Sequence, residues 1–235
     1  MAISNSGDAS PGAIELARST LRLFFRHGWF KAIGTTASTW IFFIGYFYLL
    51  QHPRIPATVM PMTSVDRWIG LQPWTLPFYL SLWVYVSLPA ALMSSRREVV
   101  AYGLRIGTLC VIGLGIFYLW PTAVPTDHVD WALHPSFDIL RGKDASGNAC
   151  PSLHVATAVF TALWLDWMAP KLGFGKRLRS CNVLWCALIV FSTMATKQHV
   201  LVDVIFGAAL GVAVAWATRP RARFRQARPS DSAGR

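Results

Sequence analysis

The sequence has few charged residues and few cysteines, and each scarcity limits what the protein can be. Charged residues make up 14% of the 235 residues, whereas soluble globular domains average about 25%. The four cysteines, at positions 110, 150, 181 and 186, indicate no disulfide framework. The first 28 residues lack a short apolar core followed by a small-residue cleavage site, so we expect no cleaved signal peptide.

Apolar residues dominate the chain instead. They make up 54% of it, with 11 Trp, 14 Phe and a mean hydropathy of +0.40. They fall into six blocks near the roughly 20 residues that a bilayer requires. The sequence therefore predicts an all-α, polytopic membrane protein with a bundle of six transmembrane helices. The blocks are residues 31–50, 76–93, 102–120, 153–169, 181–196 and 200–218.

Basic residues predict the orientation of these helices. The chain has 22 Lys and Arg against 11 Asp and Glu. Most of the basic residues lie in the N-terminal segment, around the second and fourth loops and in the tail, which are all on one side of the predicted bundle. The positive-inside rule therefore puts both termini in the cytoplasm. We expect a cytoplasmic segment 1–28, a membrane domain 29–218 and a basic tail 219–235. The basic residues lie next to the membrane, which favours anionic lipid headgroups at the cytoplasmic face, and not nucleic acid, as their partner.

Two stretches place histidines where apolar helices begin on the opposite, extracytoplasmic side. They are "NACPSLHVATAVF", with His154, and "TKQHVLVDVIFGAALG", with His199 and Asp203. His199 and Asp203 are four residues apart, so they share a helical face. A charged Asp within a membrane helix costs about 2.5–3.5 kcal/mol on insertion scales, so it normally has a partner. A hydrogen bond from His199 would meet that need and leave its other nitrogen nucleophilic.

The same helix ends suit a phosphate group. Ser152 can cap the fourth predicted helix. Helix N-termini offer free N–H groups and the positive ends of helix dipoles, which together favour anions. The two stretches therefore predict a phosphate-binding site at the extracytoplasmic surface.

These residues carry a resemblance to a known family. "PSLH" at 151–154 and "HVLVD" at 199–203 resemble the second and third signature motifs of the type-2 phosphatidic acid phosphatase superfamily. The fuller strings "CPSLHVA" and "STMATKQHVLVD" are most similar to its inositol-phosphorylceramide-synthase-like branch. "VDRWIGLQPW" and "LWPTAVPT" also resemble that branch, less specifically. Two spaced histidines with an Asp at i+4 form a stronger signal together than either motif alone.

The resemblance implies an enzyme that works through a covalent phosphohistidine, without a metal or another cofactor. His199 would attack phosphorus, and Asp203 would orient it. His154 would protonate the leaving oxygen and then activate the accepting water or alcohol. We thus expect a lipid phosphatase or phosphotransferase in the plasma or inner membrane, with a phospholipid or other lipid phosphate as substrate. Transfer of a phospho-headgroup to a lipid alcohol is the alternative that the branch implies.

The sequence departs from the family at the phosphate-binding cations. The superfamily's first motif, a Lys followed by Arg-Pro ahead of "PSxH", has no counterpart, and Ser192–Thr193 stands where many members have Ser-Arg. Nearby side chains are the predicted replacements, and Lys197 is the first choice because it is two residues from His199. The candidates are Lys197, Arg141, Lys143, Ser152 and Ser192.

Other functions use similar residues, and some motifs have a structural explanation. Two helical histidines could bind haem in an electron carrier, but that would not explain Asp203 or "PSLH". A His/His/Asp set could bind a metal in a transporter, which would need further ligands at mid-membrane that the sequence does not offer. A serine protease could use Ser152 and His199, but the sequence lacks the glycine-flanked serine typical of such enzymes. Close helix packing explains the glycine pairs at 103/107 and 207/211, which have GxxxG spacing.

Overall fold

The structure is a computed structural model that describes residues 12–125 and 147–219. It is mostly helical. One 3₁₀ turn, Pro73–Thr75, precedes α4, and two short strands, β1 Thr58–Val59 and β2 Thr122–Ala123, pair in parallel. The helices are α1 Ala13–Phe25, α2 Gly28–Gln51, α3 Ser64–Trp68, α4 Leu76–Tyr85, α5 Leu88–Leu92, α6 Arg96–Leu119, α7 Leu153–Leu172, α8 Lys176–Ala195 and α9 Leu201–Ala217.

Three of the described helices are long and apolar enough to cross a bilayer by length and composition. They are α2, α6 and α8, and α9 is a shorter apolar helix of 17 residues. The protein is therefore membrane-embedded, as the composition predicts. The expectation of six spans with both termini in the cytoplasm stays a prediction.

The second apolar block, predicted as one helix over 76–93, is divided into α4 and α5. Pro89 lies in the first turn of α5 and has no N–H to bond the carbonyl of Tyr85, so the helix cannot continue through it. The Tyr102 hydroxyl donates to the carbonyl of Val86 at the break (3.0 Å). A side chain of α6 thus satisfies a backbone group that the interrupted helix leaves open.

The predicted cytoplasmic segment 1–28 contains α1, a helix that the sequence reasoning missed. His27 has a left-handed backbone (φ 58°) and turns the chain from α1 into α2. Lys31 of α2 fastens this corner, because its ammonium donates to the carbonyls of Leu23 and Ala91, both at 2.7 Å.

Helix α7 is the centre of the bundle and packs most closely against α9. A methyl group at Gly207 would lie 2.4 Å from the carbonyl oxygen of Ser152, and one at Gly211 would lie 2.5 Å from that of Ala156. Close packing is therefore confirmed for this glycine pair. For Gly103 and Gly107 it is wrong, because no atom of the described residues lies within 4 Å of the position that a methyl group would take. That pair borders an open cavity.

Candidate active site

The N-terminus of α7 carries Ser152 and His154. Ser152 is the N-cap, and its Oγ accepts the N–H of Val155 (3.3 Å). The chain just before it is held by β2, since the N–H of Cys150 donates to the Thr122 hydroxyl (2.8 Å). The predicted cap is thus confirmed, and it fixes where His154 leaves the helix.

The turn between α8 and α9 carries His199. Lys197 reverses the chain with a left-handed backbone (φ 58°). The N–H groups of Gln198 and His199 both donate to the Thr193 carbonyl at 3.1 Å. His199 is consequently anchored to the end of α8, and its side chain is only 7% exposed.

The two histidines meet although 45 residues separate them. Nε2 of His199 lies 3.5 Å from Nδ1 of His154, and the ring centroids are 5.6 Å apart. The other ring nitrogen of His199, Nδ1, faces Asp203, whose Oδ2 is 3.6 Å away. Both neighbours are those that the sequence predicts. The hydrogen bond expected from His199 to Asp203 is not formed at this distance.

Asp203 is completely buried at the start of α9. Its Oδ2 accepts the N–H of Val200 (3.0 Å), and its backbone carbonyl accepts the N–H of Ser152 (3.0 Å), which joins the ends of α7 and α9. The Cys150 thiol is a neighbour, and burial together with the Asp203 carboxylate raises the pKa of that thiol to about 12. Cys150 therefore stays protonated near neutral pH and is a poor nucleophile.

The predicted phosphate-binding side chains are in different situations. The Ser192 hydroxyl donates to the Ile189 carbonyl (2.6 Å), whereas that of Ser152 serves as the helix cap. The Lys197 ammonium donates to the carbonyls of Asp66 (2.8 Å) and Ile69, which leaves one of its three N–H donors. Burial lowers the pKa of Lys197, and the nearby Asp66 charge opposes that shift. The remaining candidates, Arg141 and Lys143, lie outside the described residues.

Sequence reasoning missed three residues that shape the site. The Tyr79 ring stacks on His154, with ring centroids 4.7 Å apart, and Trp83 meets the same imidazole edge-on at 6.0 Å. Both come from α4, at the i, i+4 spacing that puts two aromatic rings on one face. The third is Asp66, a buried carboxylate in the "VDRWIGLQPW" stretch. The stretch resembles the family branch, but the sequence alone indicates no role for its acid.

A cavity of about 840 Å³ adjoins His154. It runs between α2, α4 and α6, and its walls are mainly aromatic and aliphatic side chains. Gly103 and Gly107 give it room, since neither has a neighbour within 4 Å at the side-chain position. Its volume is within the roughly 300–1,000 Å³ that is usual for ligand sites. Within residues 12–125 and 147–219, no group of three or more His, Cys, Asp or Glu could hold a metal ion.

Comparison with protein families decides the affiliation. A model of the PAP2 superfamily, the type-2 phosphatidic acid phosphatase superfamily, matches residues 99–226. The chain belongs to the PAP2 superfamily. The match begins at Val99 in α6 and includes both histidines, Asp203 and all of α7, α8 and α9. No curated protein matches the sequence.

PAP2 membership supports a chemistry as well as an affiliation. Members of this superfamily are phosphoric-ester hydrolases, and the family suggests lipid phosphates as substrates. A phosphatase or phosphotransferase function for this PAP2 protein is thereby supported, and the superfamily predicted from the motifs is confirmed.

Proposed function

We propose that this PAP2 protein is a lipid phosphatase or phosphotransferase that forms a phosphohistidine on His199 at the extracytoplasmic face of the membrane. The observation that carries the proposal is the environment of His199. One ring nitrogen faces the Asp203 carboxylate at 3.6 Å and the other faces His154 at 3.5 Å. A nucleophile, an orienting acid and a second titratable ring are the parts that covalent phosphoryl transfer requires.

The attacking atom in this proposal is Nε2 of His199. With the Nδ1 proton directed at Asp203, Nε2 keeps its lone pair and attacks phosphorus. The bond from phosphorus to the leaving oxygen breaks, and His154 donates its proton to that oxygen. Asp203 stabilises the positive charge that develops on the His199 ring.

The second half of the reaction returns both histidines to their starting states. His154, now neutral, takes a proton from a water or an alcohol. The resulting oxygen nucleophile attacks the phosphohistidine, and the bond between phosphorus and Nε2 breaks. Water as acceptor releases phosphate, whereas a lipid alcohol gives the transfer expected of an inositol-phosphorylceramide-synthase-like enzyme.

The phosphate charge must be balanced without the family's first motif. The N-terminus of α7 supplies the positive end of the helix dipole next to His154. The remaining N–H donor of Lys197, the Ser152 and Ser192 hydroxyls, and the cations Arg141 and Lys143 are the proposed additional ligands. A charge-assisted hydrogen bond from one of them would contribute about 1.5–3 kcal/mol.

The cavity beside His154 supports a lipid rather than a soluble phosphate ester as the substrate. His154 and Thr157 line it together with aromatic side chains such as Phe43, Trp83 and Tyr102. Relative to water, burying a hydrocarbon chain there gains about 0.8 kcal/mol per methylene group. A small polar ester would leave the cavity empty.

Phosphate release and group transfer from a lipid panel test the proposal. Purified protein is incubated with labelled phosphatidic acid, other lipid phosphates and phosphoinositides, with and without lipid alcohols and with and without EDTA. We expect turnover that survives EDTA, together with an acid-labile, base-stable phosphoprotein. Absence of turnover on every lipid, or a complete and metal-reversible loss in EDTA, would overturn it. Stoichiometric haem in the purified protein would indicate the electron-carrier alternative.

A further inference from the structure

The segment between α2 and α4 grips the turn that carries His199. Four hydrogen bonds join them. The N–H of Gln72 donates to the Ala195 carbonyl (2.9 Å), the Lys197 ammonium donates to the carbonyls of Asp66 and Ile69, and the N–H of Leu201 donates to the carboxylate of Asp66. These contacts fall on both sides of His199 in the sequence.

The Asp66 carboxylate is committed on both oxygens. Oδ1 accepts the N–H of Leu201 at 2.8 Å, and Oδ2 accepts the N–H (2.8 Å) and the hydroxyl (2.7 Å) of Thr63. The Thr63 bonds are local, since they form the capping box of α3. The bond to Leu201 is not local, because it spans 135 residues and joins α3 to α9.

Leu201 occupies an informative position. It is the first residue of α9, where backbone N–H groups have no partner within the helix. Asp66 therefore caps α9 from another part of the chain. His199 precedes Leu201 by two residues and Asp203 follows it by two, so this bond sits midway between the nucleophile and its orienting acid.

Burial makes the arrangement rigid. Asp66 is only 3% exposed, and a buried carboxylate is stable only when its oxygens are hydrogen-bonded. The Lys197 ammonium holds the backbone of the same short helix from the other side of His199. The imidazole is thus attached to a loop that is fixed at both ends.

We propose that Asp66 is a positioning residue that sets the place of His199 relative to Asp203 and His154. It acts through the Leu201 amide and does not touch the substrate. The inference rests on the proposed phosphohistidine function for its effect on turnover, but the clamp itself can be measured separately.

Two variants of Asp66, compared with a control variant elsewhere, test its role. In Asp66→Ala, kcat should fall about a hundredfold, since a misplacement of about 1 Å can cost that much. KM should change by less than about threefold, because the substrate-binding walls are untouched. Asp66→Asn keeps an oxygen that can accept from Leu201 and should recover at least a third of the loss on a logarithmic scale.

Glu98→Ala is the matched control. Glu98 is also the acid of a capping box, at the start of α6, where it accepts from Ser94 and Ser95. Its side-chain partners in the described residues are Ser94, Ser95 and Lys171, none of which belongs to the α8–α9 turn, so Glu98→Ala should keep wild-type kcat. If the role of Asp66 were purely structural, Asp66→Ala and Glu98→Ala would lose similar amounts of folding stability and similar amounts of turnover.

Hydrogen–deuterium exchange provides a readout that does not depend on activity. Amides of residues 197–203 should exchange at least tenfold faster in Asp66→Ala than in wild type or Glu98→Ala. Unchanged exchange overturns the clamp, whatever the enzyme does. Faster exchange with wild-type kcat in an active protein overturns the positioning role. Failure of the proposed function would appear differently, as a wild-type protein that turns over no lipid phosphate.

Discussion

At the scale of single residues, the two nitrogens of His199 have different neighbours. Nδ1 faces a buried carboxylate, and Nε2 faces a second imidazole. In the described residues, Nδ1 of His199 and Oδ1 of Asp203 have no hydrogen-bond partner. Buried polar atoms of this kind are rare in folded proteins, and they occur at catalytic sites that complete their bonds with substrate present.

His199→Ala should abolish turnover and the phosphoprotein while leaving the protein folded, because the attacking nitrogen is lost. His154→Ala should reduce turnover severely but still form some phosphoprotein from a substrate with a good leaving group, which needs no proton. His52→Ala, at an exposed histidine that contacts Tyr48, should behave as wild type. Rapid-quench phosphorylation and steady-state rates are the measurements. Near wild-type turnover by His199→Ala would show that another residue is the nucleophile.

The residues at the site differ in how far sequence could predict them. His199 and Asp203 could be predicted to lie together because they are four residues apart and share a helical face. His154 was predicted from the resemblance of "PSLH" to a family motif. The direction of the Lys197 ammonium could not be found that way, since its partners, the carbonyls of Asp66 and Ile69, are about 130 positions away. Asp66 was missed for the same reason.

At the scale of helices, the contact between α7 and α9 brings the two histidines together. The backbones touch because Gly207 and Gly211 have no side chains. His154 lies in the first turn of α7, and His199 lies two residues before the start of α9. The spacing of the helices therefore sets the distance between the two imidazole rings.

Gly207→Ala should push α9 away from α7. Its new methyl group would lie 2.4 Å from a backbone oxygen, which cannot move aside as a side chain can. Overpacking of this kind costs about 1–3 kcal/mol. We expect a lower melting temperature and a kcat at least about tenfold lower, because displacements of an ångström are costly to catalysis.

The control for this variant is Gly115→Ala on α6, where a new methyl group would have no atom of the described residues within 4 Å. It should leave kcat unchanged and should not lower the melting temperature, because alanine is the better helix former. Equal behaviour of the two variants in thermal unfolding and in kinetics would mean that the α7–α9 contact does not govern the site.

Gly103→Leu should fill part of the cavity and discriminate substrates by chain length. If the leucine excludes about two methylene groups, binding loses about 1.6 kcal/mol, roughly a tenfold change in kcat/KM. The loss should appear with hexadecyl phosphate and not with butyl phosphate. Gly115→Leu has the same open surroundings but does not border the cavity, so it is the matched control. If kcat/KM fell equally for both esters, the cavity would not be the binding site of the substrate chain.

The five helices of 17 residues or more begin and end within six residues of the predicted blocks. Helix α1 and the short helix α3 were not predicted, and the second apolar block is divided. Hydropathy finds apolar stretches, but it does not register the missing N–H of Pro89 that separates α4 from α5. Sequence spacing also predicts the same close packing for both glycine pairs, 103/107 and 207/211. Only the positions of the neighbouring helices show that Gly207 meets a backbone whereas Gly103 meets open space.

At the scale of the whole molecule, the distribution of basic residues predicts the side on which the chemistry occurs. Reporter fusions after Pro125 and at Gly147 should read extracytoplasmic, and fusions after Gly173 and at the C-terminus should read cytoplasmic. The pairing of β1 with β2, and of Ala123 with Gly147, puts the first two fusion sites on the same end of the bundle as the histidines. A cytoplasmic signal from either of them would move the active site to the other leaflet.

The glycine contact between α7 and α9 has a consequence for how the protein responds to its membrane. Helices adapt to a bilayer that is too thick or too thin by tilting, and a tilt requires some slack between neighbours. The backbones of α7 and α9 are in direct contact, so these two helices have no space in which to tilt against each other. Helices α2 and α6, in contrast, border a cavity of about 840 Å³ and can change their angle. The protein should therefore adapt to hydrophobic mismatch by movement of the helices at the cavity, and not at the α7–α9 contact. In vesicles of graded thickness, KM should vary while the rate of phosphohistidine formation at saturating substrate stays constant.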